Sequence, residues 1–185
     1  MFQNKKILIT GGTGSLGMAL TKRLLSLNVD TIRIFSRNES QQILMDSKIQ
    51  NDKVRYLIGD VRDRDRLETA LEDIDIVLLD MNFSAGVNTG NEGLYWLNEI
   101  KKRSPNTSVI MMTAYGAVDL AVRALKQGAS DFVLKPWNNE RLMTTVKSAY
   151  ELRKSKQEIH NLKKKESNLK QVINQDRNYI IGQSK

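Results

Sequence analysis

Residues 6–17 read Lys6-Ile7-Leu8-Ile9-Thr10-Gly11-Gly12-Thr13-Gly14-Ser15-Leu16-Gly17 and run straight into a helical pattern. A short β-branched run that ends in glycines and opens a helix is the start of a strand–turn–helix unit on a parallel sheet. The glycines recur at Gly11, Gly14 and Gly17, a G-x-x-G-x-x-G spacing. Such spacing permits a tight turn, lets backbone amides approach a pyrophosphate and packs the helix against the strand. The first amides of the helix then offer an anion site.

The same alternation continues outward from this unit. Strands are predicted at Lys6–Thr10, Thr31–Phe35, Val54–Gly59, Ile74–Leu79, Ser108–Thr113 and Asp131–Leu134. Helices are predicted at Ser15–Leu27, Glu39–Ile49, Arg64–Leu71, Gly90–Arg103, Val118–Gln127 and from Asn139 onward. Continuous apolar strands such as Ile76-Val77-Leu78-Leu79 fit a sheet covered on both faces. The expected fold is α/β: a three-layer, doubly wound parallel sheet of six strands in order 3-2-1-4-5-6, followed by a C-terminal extended helix.

With 185 residues and 40% apolar content, the chain has material for one core and an appendage. Cysteine is absent and His160 is the single histidine, which excludes disulfides, thiolate metal sites and a histidine-built metal site. The apolar runs are strand-sized, so no membrane span or signal peptide is expected, and a cytoplasmic location fits. The formal charge of +8 is uneven: residues 1–75, 76–150 and 151–185 carry +1, +2 and +5. A basic tail with few aromatics reads as a solvated helix face in preference to a nucleic-acid site, and no DNA-binding motif is present.

Beyond Leu152 an apolar seam recurs at Ile159, Leu162, Leu169 and Ile173, interrupted by Ser155 and Glu166. These are a and d positions of a heptad, which reads either as a short coiled coil joining two copies of the chain or as a single solvated helix. Domain boundaries are expected at 1–150 for one α/β domain, 151–178 for the helix and 179–185 for the remnant of a following domain.

The second strand leads into Ser36-Arg37-Asn38, where the adenosine ribose of a dinucleotide would lie. Arg37 there reads either as a ligand for a 2′-phosphate, and hence NADP, or as a solvated loop residue. Asp60-Val61, after the third strand, is placed to border an adenine.

The segments "ILITGGTGSLG" (7–17), "IFSRNE" (34–39) and "IGDVRDRDRL" (58–67) resemble the opening of the extended short-chain dehydrogenase/reductases, in particular the nucleotide-sugar 4,6-dehydratases. The resemblance covers about residues 3–77. It implies NADP held by Gly11, Thr13, Gly14, Ser15, Leu16, Gly17, Arg37, Asp60 and Val61. The family's later Tyr-x-x-x-Lys pair has one match, Tyr150 and Lys154, but it lies beyond the sixth strand, and chance explains it better. Dehydratase activity is therefore not expected.

From about Asp75 the text changes. "DIVLLDMNFSAG" (75–86) and "VIMMTAYGAVDLAVRALKQGASDFVLKPW" (109–137) resemble the second half of response-regulator receiver domains, especially those of sigma-54-dependent activators. The resemblance makes Asp80 the phosphoacceptor, Thr113 the switch hydroxyl and Lys135 the phosphoryl-contacting lysine, followed by Pro136, with Phe132 as the aromatic switch position. Such a set works because a carboxylate attacks the phosphoryl donor while cations and a hydroxyl neutralise charge on the phosphoryl oxygens. Receivers also hold magnesium with an acidic pair after the first strand, where this chain has Thr10 and Gly11. One carboxylate is a poor magnesium site, so phosphorylation is expected to be very slow or absent. The tail "YIIGQSK" (179–185) resembles the opening of the ATPase domain of those activators, whose core is missing from the sequence.

The splice, near residues 74–79, is topologically permitted. The fourth strand of the dinucleotide fold and the third of the receiver fold both lie beside strand 1, across the switch point from strand 2. It also places Asp80 beside the glycine turn, where its charge opposes a pyrophosphate. Three functions follow: a non-catalytic hybrid with at most residual NAD(P) binding, a degenerate receiver acting as a dimeric signalling module through Asp80, and, least favoured, a reductase-like enzyme.

Overall fold

The computed structural model describes residues 4–81, 91–114, 118–135 and 138–182. In chain order these form β1 (Lys6–Thr10), α1 (Ser15–Leu25), β2 (Thr31–Ser36), α2 (Glu39–Ile49), β3 (Val54–Ile58), α3 (Arg64–Leu71), β4 (Ile76–Asp80), α4 (Asn91–Arg103), β5 (Ser108–Ala114), α5 (Val118–Lys126), β6 (Asp131–Lys135) and α6 (Asn139–Gly182). The sheet is six-stranded and parallel, in order β3-β2-β1-β4-β5-β6. At the switch point, Ile7, Leu8 and Ile9 of β1 face Ile76, Val77 and Leu78 of β4.

Side chains on successive strand residues point to opposite faces, so each central strand supplies two cores. Ile7, Ile9, Ile76, Leu78, Ile110 and Met112 face Leu20 and Leu24 of α1, Met45 of α2 and Leu142 and Val146 of α6. Leu8, Val77, Leu79, Val109 and Met111 face Leu67 of α3, Leu97 and Ile100 of α4 and Ala124 of α5. Both layers mix residues from before and after residue 75, at about 1.5–3 kcal/mol of hydrophobic stabilisation for each fully buried large aliphatic chain.

Local chemistry sets the helix ends. Asn38 and Asp63 cap α2 and α3, accepting the amides of Gln41 and Arg66. Helix α3 has no basic residue in its last turn. Arg33 on β2 supplies one from outside, its Nη1 donating to the carbonyls of Thr69, Ala70 and Glu72 at 3.3, 3.1 and 2.7 Å.

Element bounds differ from the sequence expectation in ways that pairing explains. Strands β2, β4, β5 and β6 each run one residue further, because Ser36 pairs with Ile58, Asp80 with Met112 and Ala114 with Lys135. Helix α1 stops at Leu25 because Leu27 and Asn28 turn back onto the carbonyls of Leu24 and Leu25, and Asn28 takes φ 57°. Strand β4 starts at Ile76, after Asp73 at φ 56°. The predicted helix start at Gly90, the loop from residue 82 to 90 and Pro136 lie outside the described residues.

The chain divides into two compact units, Met1–Tyr150 and Glu151–Lys185. Helix α6 runs to Gly182, four residues beyond the boundary expected at 178. In the second unit Leu152, Ile159, Leu162 and Leu169 are all exposed. Among the described residues no helix is long and apolar enough to cross a membrane.

Candidate functional site at the switch point

Open α/β sheets bind ligands outside the carboxyl ends of the strands where the strand order reverses. Here that point lies between Thr10, the last residue of β1, and Asp80, the last of β4. Gly11 leaves β1 at φ 63°, a left-handed conformation that glycine adopts without a Cβ penalty, and its N–H donates to Phe35 O at 2.9 Å. Gly14 is the N-cap of α1 and carries no side-chain cap of its own. A Cβ on Gly17 would lie 1.9 Å from Gly12 O, so only glycine lets α1 sit this close to the turn.

Asp80 is held from several sides. Its N–H donates to Thr10 Oγ1 at 2.8 Å, and the Thr10 hydroxyl donates to Leu78 O at 3.4 Å. Its Oδ2 accepts from Lys135 Nζ at 2.6 Å, with the two side chains 15% and 25% exposed. A Cβ on Gly11 would lie 3.3 Å from the same Oδ2. The carboxylate therefore stands at the mouth of the glycine turn.

Two adjoining clefts share Gly11 and Asp80. One, of about 160 Å³, is bordered by Gly14, Ser15, Leu16 and Gly17 on one side and by Met112 and Lys135 on the other. The second, of about 190 Å³, is bordered by Thr13, Ser36, Arg37, Asp60 and Val61. Asp60 accepts from Arg62 Nη2 at 2.6 Å and lies 3.6 Å from Arg37 Nη1. The hydrogen bond from Arg62, helped by the charges of Arg62 and Arg37, holds the Asp60 carboxyl below its usual range against a smaller opposing effect of burial.

The structure thus gathers the nine nucleotide-site candidates around two connected clefts and adds Asp80 and Lys135 to them. Thr113 is buried on β5 at 2% exposure, one residue beyond Met112, and does not border either cleft. Phe132 packs, partly buried, under the α3/α4/α5 face. Tyr150 lies at the opposite end of β1 from the glycine turn, with Lys5 Nζ 4.8 Å from its ring centroid.

Gln42 and Arg62 were not singled out from the sequence. Gln42 is buried and donates to Ser36 O, Ser36 Oγ and Leu57 O, which fixes the strand end that carries Arg37. Arg62, two residues after Asp60, holds that carboxylate through both oxygens. Arg62 sits within the 58–67 segment and reaches a partner two residues away, whereas the fold brings Leu57 to Gln42.

The residues present suit a dinucleotide better than a divalent cation. The left-handed Gly11 and the Gly17 contact make the close-approach turn that a pyrophosphate needs. For magnesium, Thr10 and Gly11 stand where carboxylates are required, Asp80 is engaged by an ammonium, and no group of three or more acidic or histidine side chains converges among the described residues.

The family model described as "Response regulator receiver domain" matches residues 58–147, and the model "Polysaccharide biosynthesis protein" matches residues 7–80. Two family patterns meet in one chain. They overlap on residues 58–80, from the last residue of β3 through α3 and β4 to Asp80. Among curated proteins, a UDP-N-acetylglucosamine 4,6-dehydratase (inverting) of Campylobacter jejuni is 49% identical over 79 residues, 42% of this chain and 24% of that protein. An uncharacterized membrane protein of Methanocaldococcus jannaschii is 45% identical over 76 residues, 41% of this chain and 23% of that protein. The chain therefore spans about a quarter of the length of these relatives. Among solved structures, the receiver domain of NtrX from Brucella abortus shares the fold with a TM-score of 0.53 at 24% identity, covering 78% of this chain and 98% of that domain.

Proposed function

We propose that the chain is a non-catalytic hybrid of a nucleotide-binding half and a receiver half, whose switch-point clefts bind NADP weakly and in preference to NAD. The observation that carries this reading is the placement of Asp80 Oδ2 against Gly11. The receiver half puts its aspartate into the anion site of the nucleotide half, so each half compromises the other. Arg37, beside the second cleft, is the charge that selects a 2′-phosphate. Around the clefts no Tyr–Lys pair stands ready for acid/base work among the described residues, and a magnesium-assisted phosphorylation lacks its carboxylates.

Calorimetric titration of the purified chain with NADP and NAD tests this. Saturable binding that favours NADP, without turnover of the cofactor, is expected. Equal binding of both would remove Arg37 from the site, and cofactor turnover would make the chain an enzyme.

A second reading is favoured by the 2.6 Å contact between Lys135 and Asp80, the pairing a receiver uses around its phosphoacceptor. In it the chain is a cytoplasmic signalling module that dimerises through the exposed seam Leu152, Ile159, Leu162 and Leu169. Intact mass after incubation with acetyl phosphate and magnesium separates the two readings: stoichiometric labelling of Asp80 supports the second, and an unchanged mass supports the first.

A further inference from the structure

We infer that Lys135 is a ligand of the nucleotide's pyrophosphate and that Asp80 is its internal competitor, so that binding proceeds by transfer of the Lys135 ammonium from one anion to the other. The inference rests on the hybrid reading above and specifies how that cleft is regulated. Lys135 comes from β6, three strands away from the glycine turn and on the far side of the splice, and neither parent's pattern predicts that it serves a dinucleotide.

Three observations converge. Lys135 borders the same cleft of about 160 Å³ as Gly11, Gly14, Ser15 and Gly17, so its ammonium faces the volume that a pyrophosphate on this turn would fill. In the free chain Nζ is 2.6 Å from Asp80 Oδ2, which stands against Gly11 at the edge of that volume. The pair is mostly but not fully shielded, at 25% and 15% side-chain exposure, so the lysine keeps access to the cleft while the local dielectric strengthens whichever charge contact it makes.

The electrostatics then follow without added groups. With Lys135 on Asp80, the local charge at the mouth of the turn is balanced, and an incoming anion meets a carboxylate. With Lys135 turned to the anion, one charge-assisted hydrogen bond is exchanged for another while the backbone amides of the turn remain available. A cleft of this kind binds phosphates weakly because the lysine is already satisfied. Removing the competitor should tighten it.

The test is calorimetric titration of the full chain with inorganic pyrophosphate and with NADP, for the wild type, Asp80→Asn, Lys135→Met, Lys135→Arg and the double variant Asp80→Asn/Lys135→Met. A cooperative melt is required of each. Asp80→Asn should bind both probes about ten-fold more tightly and Lys135→Met about ten-fold more weakly, the scale of one charge-assisted hydrogen bond. Lys135→Arg, which keeps the charge, should retain binding. The double variant decides between contact and screening. If Lys135 touches the anion, its loss weakens binding even when position 80 is asparagine. If the double variant binds like Asp80→Asn, Lys135 only neutralises Asp80 and the inference is overturned while the nucleotide reading stands. Absence of binding in both the wild type and Asp80→Asn overturns the two together.

Discussion

The hydroxyl of Thr10 accepts the N–H of Asp80 at 2.8 Å and donates to the carbonyl of Leu78, which ties the last turn of β1 to the end of β4. Thr10 lies only in the segment matched by the polysaccharide-biosynthesis model, and Asp80 lies where both family models match. Thr10 is fully buried, so the bond has no water to replace it. Thr10→Val keeps the shape and takes the Thr10 hydroxyl from the part-buried Asp80 N–H, at a cost of about 1–3 kcal/mol. Urea denaturation should show that loss, and Thr10→Ser should recover most of it; a neutral Thr10→Val would mean that the strand ends are held by the sheet pairing alone.

Gly17→Ala is expected to be the most damaging small substitution in the first unit. Its Cβ would meet Gly12 O at 1.9 Å and Gly12 C at 2.4 Å, both backbone atoms that cannot step aside singly. Helix α1 or the turn must move, at a cost at or above the ~1–3 kcal/mol of ordinary overpacking. Gly14→Ala meets nothing within 4 Å and serves as the control. Equal melting temperatures for the two variants would contradict the close packing of helix on turn.

The order of the six strands and the neighbourhood of the glycine turn were legible in the sequence because they depend on local patterns: apolar runs, glycine spacing and the right-handed crossovers between them. What was not legible depends on partners far away in the chain. The extra residue at the ends of β2, β4 and β5 exists because Ser36, Asp80 and Ala114 find ladder partners on the next strand. The three-carbonyl cap that Arg33 places on α3 links residues about 36–39 positions apart. Thr113 was grouped with Asp80 by resemblance; it is buried on β5, and Met112 and Lys135 border the cleft while Thr113 does not.

An acid-sensitive clasp joins α3 to α4. Arg103 Nη1 lies 2.7 Å from Glu99 Oε2 and Arg103 Nε 2.5 Å from Glu68 Oε1, while Lys102 Nζ lies 2.9 Å from Glu99 Oε1. Hydrogen bonds from Arg103 and then Lys102 pull the Glu99 carboxyl from 4.5 to about 2. A carboxyl depressed on folding adds stability that is present above its unfolded value and is lost as pH falls through its folded one. The gap in stability between wild type and Glu99→Gln should therefore be widest above pH 4.5 and close as pH falls toward about 2. Denaturation midpoints for the two proteins across that range check this; a gap that persists at the acid end would show that Glu99 acts through packing.

Arg37 should discriminate between cofactors without supporting the fold. It is more than half exposed and pairs with Asp60 at 3.6 Å, an ion pair that contributes little to stability at the surface. Arg37→Ser should lower affinity for NADP by about ten-fold, the scale of a lost charge-assisted contact, and leave NAD nearly unchanged. Competition titrations of the two cofactors measure the ratio, and an unchanged ratio would place the 2′-phosphate elsewhere.

The most direct test of a shared cleft is the titration of Asp80→Ala with NADP beside the wild type under identical salt. If the receiver aspartate intrudes on the nucleotide's anion site, removing its carboxylate tightens binding, and the gain disappears when the probe is adenosine, which carries no phosphate. Binding that is unchanged or weaker in Asp80→Ala would mean that the two halves share a sheet but not a site.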